Sequence, residues 1–463
     1  MNTARMHLVV LLVAGLALPP AGLAQTAGAQ AFRDSSDSPP AGWTGPVFHM
    51  SRNYPSKQPT CEAPWLKRQV SFTNRNPVWD KEWQAYVQDI VKYVREGQDP
   101  NLPDNTGWRT RVKGATRWYH VPWMAYDLER GREFVHGLTN ELSTPQSEFN
   151  KIGRGSGKHT LQTGPDPEGP VFETWSVGMY NPCGAWSIGQ GWPATGEPAT
   201  YTDSAGRMFA KGMPFPEGTV VIKLLNTTAD ASDVAYLKGS TTWQANGHVQ
   251  SGPSTYSLCD RAVRKVHLVQ IDLAVVDPRS PTRWVYSTLA YDGRLPGKTV
   301  LDRVHTLGVE FGNDAFTFPA VPQNESKPTY ETILAPLNIP EHYGCAKRLA
   351  GVVDQSNSSC VSCHMSAFAP APAVPPVYGT NIPNPFAFTG LCTDPNTANS
   401  QYFSDYKYPQ TYPGGGFPSA IPLDSSLQLQ VAFTWYAQFK NPASPTKCGV
   451  AAAPAGKQTR SSR

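Results

Sequence analysis

Apolar residues recur at two different periods along this chain. Trp83, Val87, Ile90 and Val94 lie at helical spacing, with Asn76-Pro77 as the start signal and Gly97 where a C-cap glycine belongs. The middle changes to strand-like runs. Thr219–Leu225, Val266–Val276 and Trp284–Tyr291 are rich in β-branched and aromatic residues, and Val269, Ile271, Leu273 and Val275 alternate onto one face. Asp292-Gly293 supplies a turn after the third run, and Thr299–Val309 reads as a further strand. Residues 171–312 therefore predict an antiparallel sheet. Leu427–Phe439, with Asp424 as N-cap, predicts a last helix. Asn181-Pro182-Cys183-Gly184 and Ile188-Gly189-Gln190-Gly191-Trp192 read as tight turns beside the sheet.

Composition adds loops to this pattern. The chain has 463 residues, 44 of them proline and 39 glycine, which favours many turns over a helical bundle. The expected fold class is α+β: an antiparallel β-sheet core, a few packing helices and long Pro/Gly-rich loops. The expected organisation is a signal peptide over 1–24 (or cleavage after 29) and an aromatic-rich irregular and helical region over 30–170. The sheet region, with a C-terminal cysteine motif, follows over 171–368, then a Pro-rich segment and terminal helix over 369–449, and a disordered tail over 450–463. The cluster Trp118 to Met124 reads as core built around an irregular segment. Lys plus Arg is 40 against 36 for Asp plus Glu, with no basic block, so nucleic acid is not an expected partner.

The most specific chemistry is Cys360-Val-Ser-Cys363-His364, the Cys-x-x-Cys-His pattern of c-type haem attachment. Two thiols at this spacing can add to the two vinyl groups of one porphyrin. The next residue then brings an imidazole to the iron. A redox Cys-x-x-Cys pair and a zinc half-site are the alternatives. The first wants a thioredoxin-like βαβ context and the second a further ligand pair. Export agrees with haem c. Arg5 and His7 precede the short apolar run Leu8–Leu18, Pro19-Pro20 break it, and small residues follow, as in a secretory signal. No later stretch is long and apolar enough for a membrane helix. The expected location is periplasmic or secreted. Six more cysteines, Cys61, Cys183, Cys259, Cys345, Cys392 and Cys448, suit up to three disulfides there, with the pairing open.

The late position of the motif sets it apart from small mitochondrial-type cytochromes. Met365 is the only methionine beyond His364, and it cannot reach the opposite face of the same haem. A second axial ligand must come from earlier in the chain: Met179, Met208, Met213, His120, His136, His267 and His305 are the candidates. The alternative is a five-coordinate iron.

Three pieces resemble the cytochrome P-460 and cytochrome c′-beta family. Phe215-Pro-Glu-Gly-Thr-Val-Val-Ile-Lys223 is similar to its Phe-x-x-Gly-Thr-Val strand ending in lysine. Trp284-Val-Tyr286 is similar to a later aromatic strand, and Ser359 to His364 to its C-terminal haem site. Together they span roughly 150 residues. The resemblance implies that Lys223 crosslinks to the porphyrin edge and that Asp272 is a carboxylate acting as proton acceptor for a substrate such as hydroxylamine. The family's distal arginine has no counterpart in Thr174–Met179.

Two functions follow as expectations. One is a periplasmic monohaem c-type cytochrome that transfers electrons to a redox partner protein. The other is a P-460-like haem oxidoreductase or gas-binding protein that acts on hydroxylamine, nitric oxide or peroxide. Both need one covalent haem c; Cys360 and Cys363 attach it, and His364 is the proximal iron ligand.

Overall fold

Trp83, Val87, Ile90 and Val94 are all buried, as their spacing predicts. They lie on helix α1, Lys81–Arg95. The helix begins later than Asn76-Pro77 because the Asp80 carboxylate accepts the N–H groups of Glu82 and Trp83 and so caps it. The computed structural model describes residues 35–36, 39–48, 50–96, 111–112, 115–120, 126–127, 131–134, 137–141, 144–149, 170–193, 195–252, 255–314, 329–337, 344, 347–354, 358–369, 405, 407–409 and 420–440. All of these belong to one compact unit, residues 31–453. The expected signal peptide, Gly97, the tail over 450–463, most of both proline-rich segments, Cys345, Cys392, Cys448 and the side chain of Cys259 lie outside the described residues.

Among the described residues the fold is α+β, dominated by one nine-stranded antiparallel sheet. Its strands are β1 (Tyr119–His120), β2 (Thr139–Asn140), β3 (Thr174–Tyr180), β4 (Val220–Thr227), β5 (Thr242–Gly252), β6 (Thr255–Val276), β7 (Trp284–Tyr291), β8 (Val304–Glu310) and β9 (Thr332–Leu334). The order is β9-β8-β7-β6-β4-β3-β1, with β5 beside β6 and β2 beside β3. Thr299 does not open β8. It caps a 3-10 turn, Val300–Asp302, through a reciprocal bond with Asp302.

The two faces of the sheet do different work. Val220, Ile222 and Leu224 of β4 and Ile271, Leu273 and Val275 of β6 share one core with Trp83, Tyr86, Val87 and Ile90 of α1. Val269 departs from the alternation. A bulge where Leu225 pairs with Gln270 and Asn226 with Leu268 turns Val269 to the other face, against Leu225, Ala290 and Leu307. That second face packs under the C-terminal elements: helix α3 (Cys360–His364), the pair β10 (Phe368–Ala369) and β11 (Ile421–Pro422), and helix α4 (Leu427–Lys440).

The two stretches read as turns, Asn181–Gly184 and Ile188–Trp192, belong instead to one helix, α2 (Pro182–Gly191). Asn181 caps it by accepting the Gly184 N–H, and Pro182 sits at its first position, where a missing N–H costs nothing. Cys183 on this helix is bonded to Cys61. No helix among the described residues is long and apolar enough to cross a membrane.

Candidate functional site

A row of side chains crosses the second face of the sheet. Register pairs Gly178 of β3 with Lys223 of β4, Lys223 with Asp272 of β6, and Asp272 with Thr288 of β7. Directly paired residues on neighbouring strands stand side by side. The Thr288 hydroxyl donates to Asp272 Oδ1 at 3.0 Å and lies 3.9 Å from Cys360 Sγ. Lys223 Nζ lies 2.9 Å from Glu141 Oε1, and Glu141 also accepts the Ser176 hydroxyl at 2.5 Å.

The haem motif forms a single helical turn laid over this row. Ser359 caps it through Ser362, in a reciprocal capping box. Cys360, Cys363 and His364 are each half-buried and line one pocket together with Lys223, Asp272 and Thr288. His364 Nδ1 lies 2.7 Å from the Ser425 carbonyl oxygen. Nδ1 must therefore be the protonated nitrogen, since a carbonyl can only accept. Nε2 keeps its lone pair, the form a metal needs. The Tyr286 ring packs beside the imidazole, with centroids 4.6 Å apart.

Ser425 is held in turn by its neighbour. The Asp424 carboxylate accepts from Arg283 Nη1 at 3.0 and 3.2 Å, from the Phe215 N–H at 2.7 Å and from Trp284 Nε1 at 3.3 Å. Asp424 and Ser425 both have left-handed backbone, at φ 45° and 67°, so the turn depends on these contacts. Asp424 therefore does not cap α4. Ser426 does, its hydroxyl accepting the Leu429 N–H at 3.3 Å.

The cavity has a volume of about 140 Å³ and opens to solvent. Val221, Leu225, Ala274, Trp284, Tyr286 and Val431 supply apolar wall. Burial holds the His364 imidazole neutral by lowering its pKa to about 4. Burial also pushes both thiols up, Cys363 to about 12, and carboxylates near Cys360 add to its shift. Asp272 is driven far above the usual carboxylate range, first by burial and then by the charge of Asp354. For Lys223, burial opposes the ammonium, but Glu141, Asp272 and Asp354 outweigh it and its pKa rises.

These residues fit a covalent haem better than the two alternatives. A redox pair needs a lowered thiolate pKa, whereas burial raises both here, and among the described residues the nine-stranded sheet has no parallel βαβ unit. A zinc site needs further ligands, and no group of three or more His, Cys, Asp or Glu with metal-holding geometry occurs among the described residues. Two thiols, a neutral imidazole with a free Nε2 and an apolar wall on one pocket are what a haem c site requires.

None of the described second-ligand candidates lines the pocket. Met179 is buried in the core on the α1 face. Met208 is 44 % exposed on a hairpin, and Met213 is buried in the core beside the pocket without lining it. His120 is buried on β1, His267 bonds Ser240, and His305 lies 3.6 Å from Asp292. His136 is outside the described residues. By contrast, Lys223 and Asp272 both face the pocket. Sequence reasoning missed Glu141, Gln270, Asp354 and Ser425. Gln270 carried a signal, a polar residue two positions from Asp272 within an apolar strand; Glu141 and Asp354 carried none.

The excess of raised carboxyls has a measurable consequence. Burial raises Asp272 and Glu331 strongly and Glu310 to about 8, while their unfolded values lie near about 4. The folded chain thus binds protons that the unfolded chain has released, and stability falls as pH rises through the folded values. The depressed imidazoles of His364 and His267 act oppositely, but only below their unfolded value of about 6.5. The urea midpoint is therefore expected to drop between about pH 6.5 and 9. A midpoint that rises over that interval contradicts it.

No protein-family model matches the chain, and neither does any curated protein or solved structure.

Proposed function

We propose that this chain is an exported monohaem c protein whose haem occupies the pocket between the sheet and α3 and meets a small ligand there. Cys360 and Cys363 attach the porphyrin, and His364 Nε2 binds the iron. The observation that carries this reading is the convergence of both thiols, an Nε2 lone pair and the Lys223–Asp272 row on one pocket. Bound there, the haem supplies one-electron chemistry and an iron site for a small ligand. The Ser425 carbonyl fixes the His364 ring and its tautomer. Thr288 and Gln270 orient the Asp272 carboxyl, which can take or return a proton at Oδ1 or Oδ2. Glu141 holds the Lys223 ammonium 2.9 Å away. The Cys61–Cys183 disulfide is compatible with an oxidising compartment outside the cytosol.

Hydroxylamine, nitric oxide and peroxide are the ligand class that suits a pocket with one cation and several carboxyls. A pure electron carrier needs a second axial side chain, and the described methionine and histidine candidates do not reach the pocket.

The optical spectrum of the reduced protein, with and without carbon monoxide, decides between the two roles. Ready binding of carbon monoxide is expected. Sharp six-coordinate bands that carbon monoxide does not disturb would sink the small-ligand reading and leave the electron carrier. In the same spectra, a red-shifted ferrous Soret band that disappears in Lys223→Ala marks the crosslink.

A further inference from the structure

The pocket holds more carboxyl groups than one proton acceptor requires, and a single buried amide ties two of them together. Gln270 Nε2 donates to Asp272 Oδ1 at 2.8 Å and to Asp354 Oδ2 at 3.0 Å. Gln270 is fully buried, and its Oε1 accepts the Val353 N–H at 3.0 Å. The amide therefore cannot flip without losing all three bonds. The Gly351 N–H donates to the same Asp354 oxygen at 2.6 Å. A Cβ at residue 351 would lie 2.0 Å from Gln270 Cδ, so the turn carrying Asp354 closes over the amide only because glycine stands there. Asp272 and Asp354 both line the pocket, and Asp272 Oδ2 takes no hydrogen bond from the described residues.

We propose that Asp272 and Asp354, clamped by the Gln270 amide, act as one carboxyl pair that holds a single proton near neutral pH and accepts a second from a small O–H or N–H ligand in the pocket. Two carboxylates fixed against one neutral amide, half-buried, cannot both stay ionised at small cost. From β4 comes Lys223, which faces Asp272 and is already engaged by Glu141. From β7 comes the neutral Thr288. From α3 come the Cys360 thiol and, beside it, the imidazole of His364, and behind Cys360 the buried carboxyl of Glu310 on β8. The upward shift of Asp272 by burial and by Asp354 agrees with the pair.

In the transfer, the ligand's O–H or N–H bond breaks and a carboxyl O–H bond forms. The bonding electrons stay on the ligand's oxygen or nitrogen. Asp354 is a positioning residue: it acts through Asp272 by keeping that carboxyl basic enough to take the proton. This role in the reaction rests on the haem pocket proposed above; the existence of the pair does not.

Infrared difference spectra of the holoprotein, titrated from about pH 6 to 10, read the C=O stretch of protonated carboxyls. A band that titrates at or above neutral pH is expected, and Asp272→Asn should remove it. That difference separates it from the bands of Glu310 and Glu331, which are also raised. Asp354→Asn keeps the acceptor for Gly351 but removes the charge, and the midpoint should fall by at least about one pH unit. A midpoint unchanged in Asp354→Asn overturns the pair. If that variant does not fold, the wild-type and Asp272→Asn spectra decide: no Asp272-dependent band at neutral pH also overturns it. Haem content is read separately from the visible spectrum. A chain without haem sinks the pocket reading while the carboxyl band can still be measured; a haem protein without the band sinks the pair alone.

Discussion

Replacing Cys360 and Cys363 together by alanine is expected to abolish haem staining of the protein on a denaturing gel. Only covalent attachment survives denaturation, and both thiols line the same pocket at the spacing that two vinyl groups require. Either single variant should keep one thioether and retain a reduced stain. The fold should persist in the double variant. α3 is held by the Ser359–Ser362 capping box and by burial of Val361 and Met365, which the double variant leaves in place. Far-UV circular dichroism checks that point. Staining that survives loss of both cysteines would refute the haem c reading outright.

Asp424→Ala is expected to cost about 3–5 kcal/mol, the range for removing one partner from a buried ion pair. The Asp424 side chain is 2 % exposed and that of Arg283 16 %, so the guanidinium, left with the Phe215 carbonyl, cannot recover full hydration. The Phe215 N–H and Trp284 Nε1 lose their acceptor at the same time. Against a typical total of about 5–15 kcal/mol, this is a large fraction. The damage reaches the pocket, because Asp424 holds the left-handed turn whose next carbonyl orients His364. Asp424→Asn keeps an acceptor oxygen and should cost less than Asp424→Ala. Denaturant midpoints of the three proteins test the order. A midpoint in Asp424→Ala equal to wild type would show that the turn does not depend on this carboxylate.

Several parts of this arrangement were legible before any coordinates. Alternation in Val266–Val276 and β-branched and aromatic composition in Trp284–Tyr291 marked strands of the sheet, because both suit a pleated, buried surface. The stripe on α1 was legible for the same reason at period 3.6. Errors fell where local chemistry has competitors. Asp80 outcompeted Asn76 as a cap, and Ser426 outcompeted Asp424, because a cap must place its oxygen over the second or third N–H and tertiary contacts decide which residue is left to do so. The bulge at Val269 was invisible, since one extra residue on one strand leaves no mark in hydrophobicity. Glu141 and Asp354 reach the pocket from segments with no periodic signal.

What the amino-acid order determined by itself is local. The spacing of Cys360, Cys363 and His364 sets two thiols and an imidazole on one helical turn, and alternation sets Lys223 and Asp272 on the same face of their strands. Only the tertiary structure decided what those groups meet. Register placed Lys223, Asp272 and Thr288 in a row under Cys360, although the residues lie up to 137 positions apart in sequence. A distant turn chose the His364 tautomer, and a buried glutamine bonds the carboxyls of Asp272 and Asp354 together. The physical reason is the range of the forces. Covalent geometry and side-chain period act over a few residues. Desolvation and charge coupling act through space and depend on which segments the fold brings together.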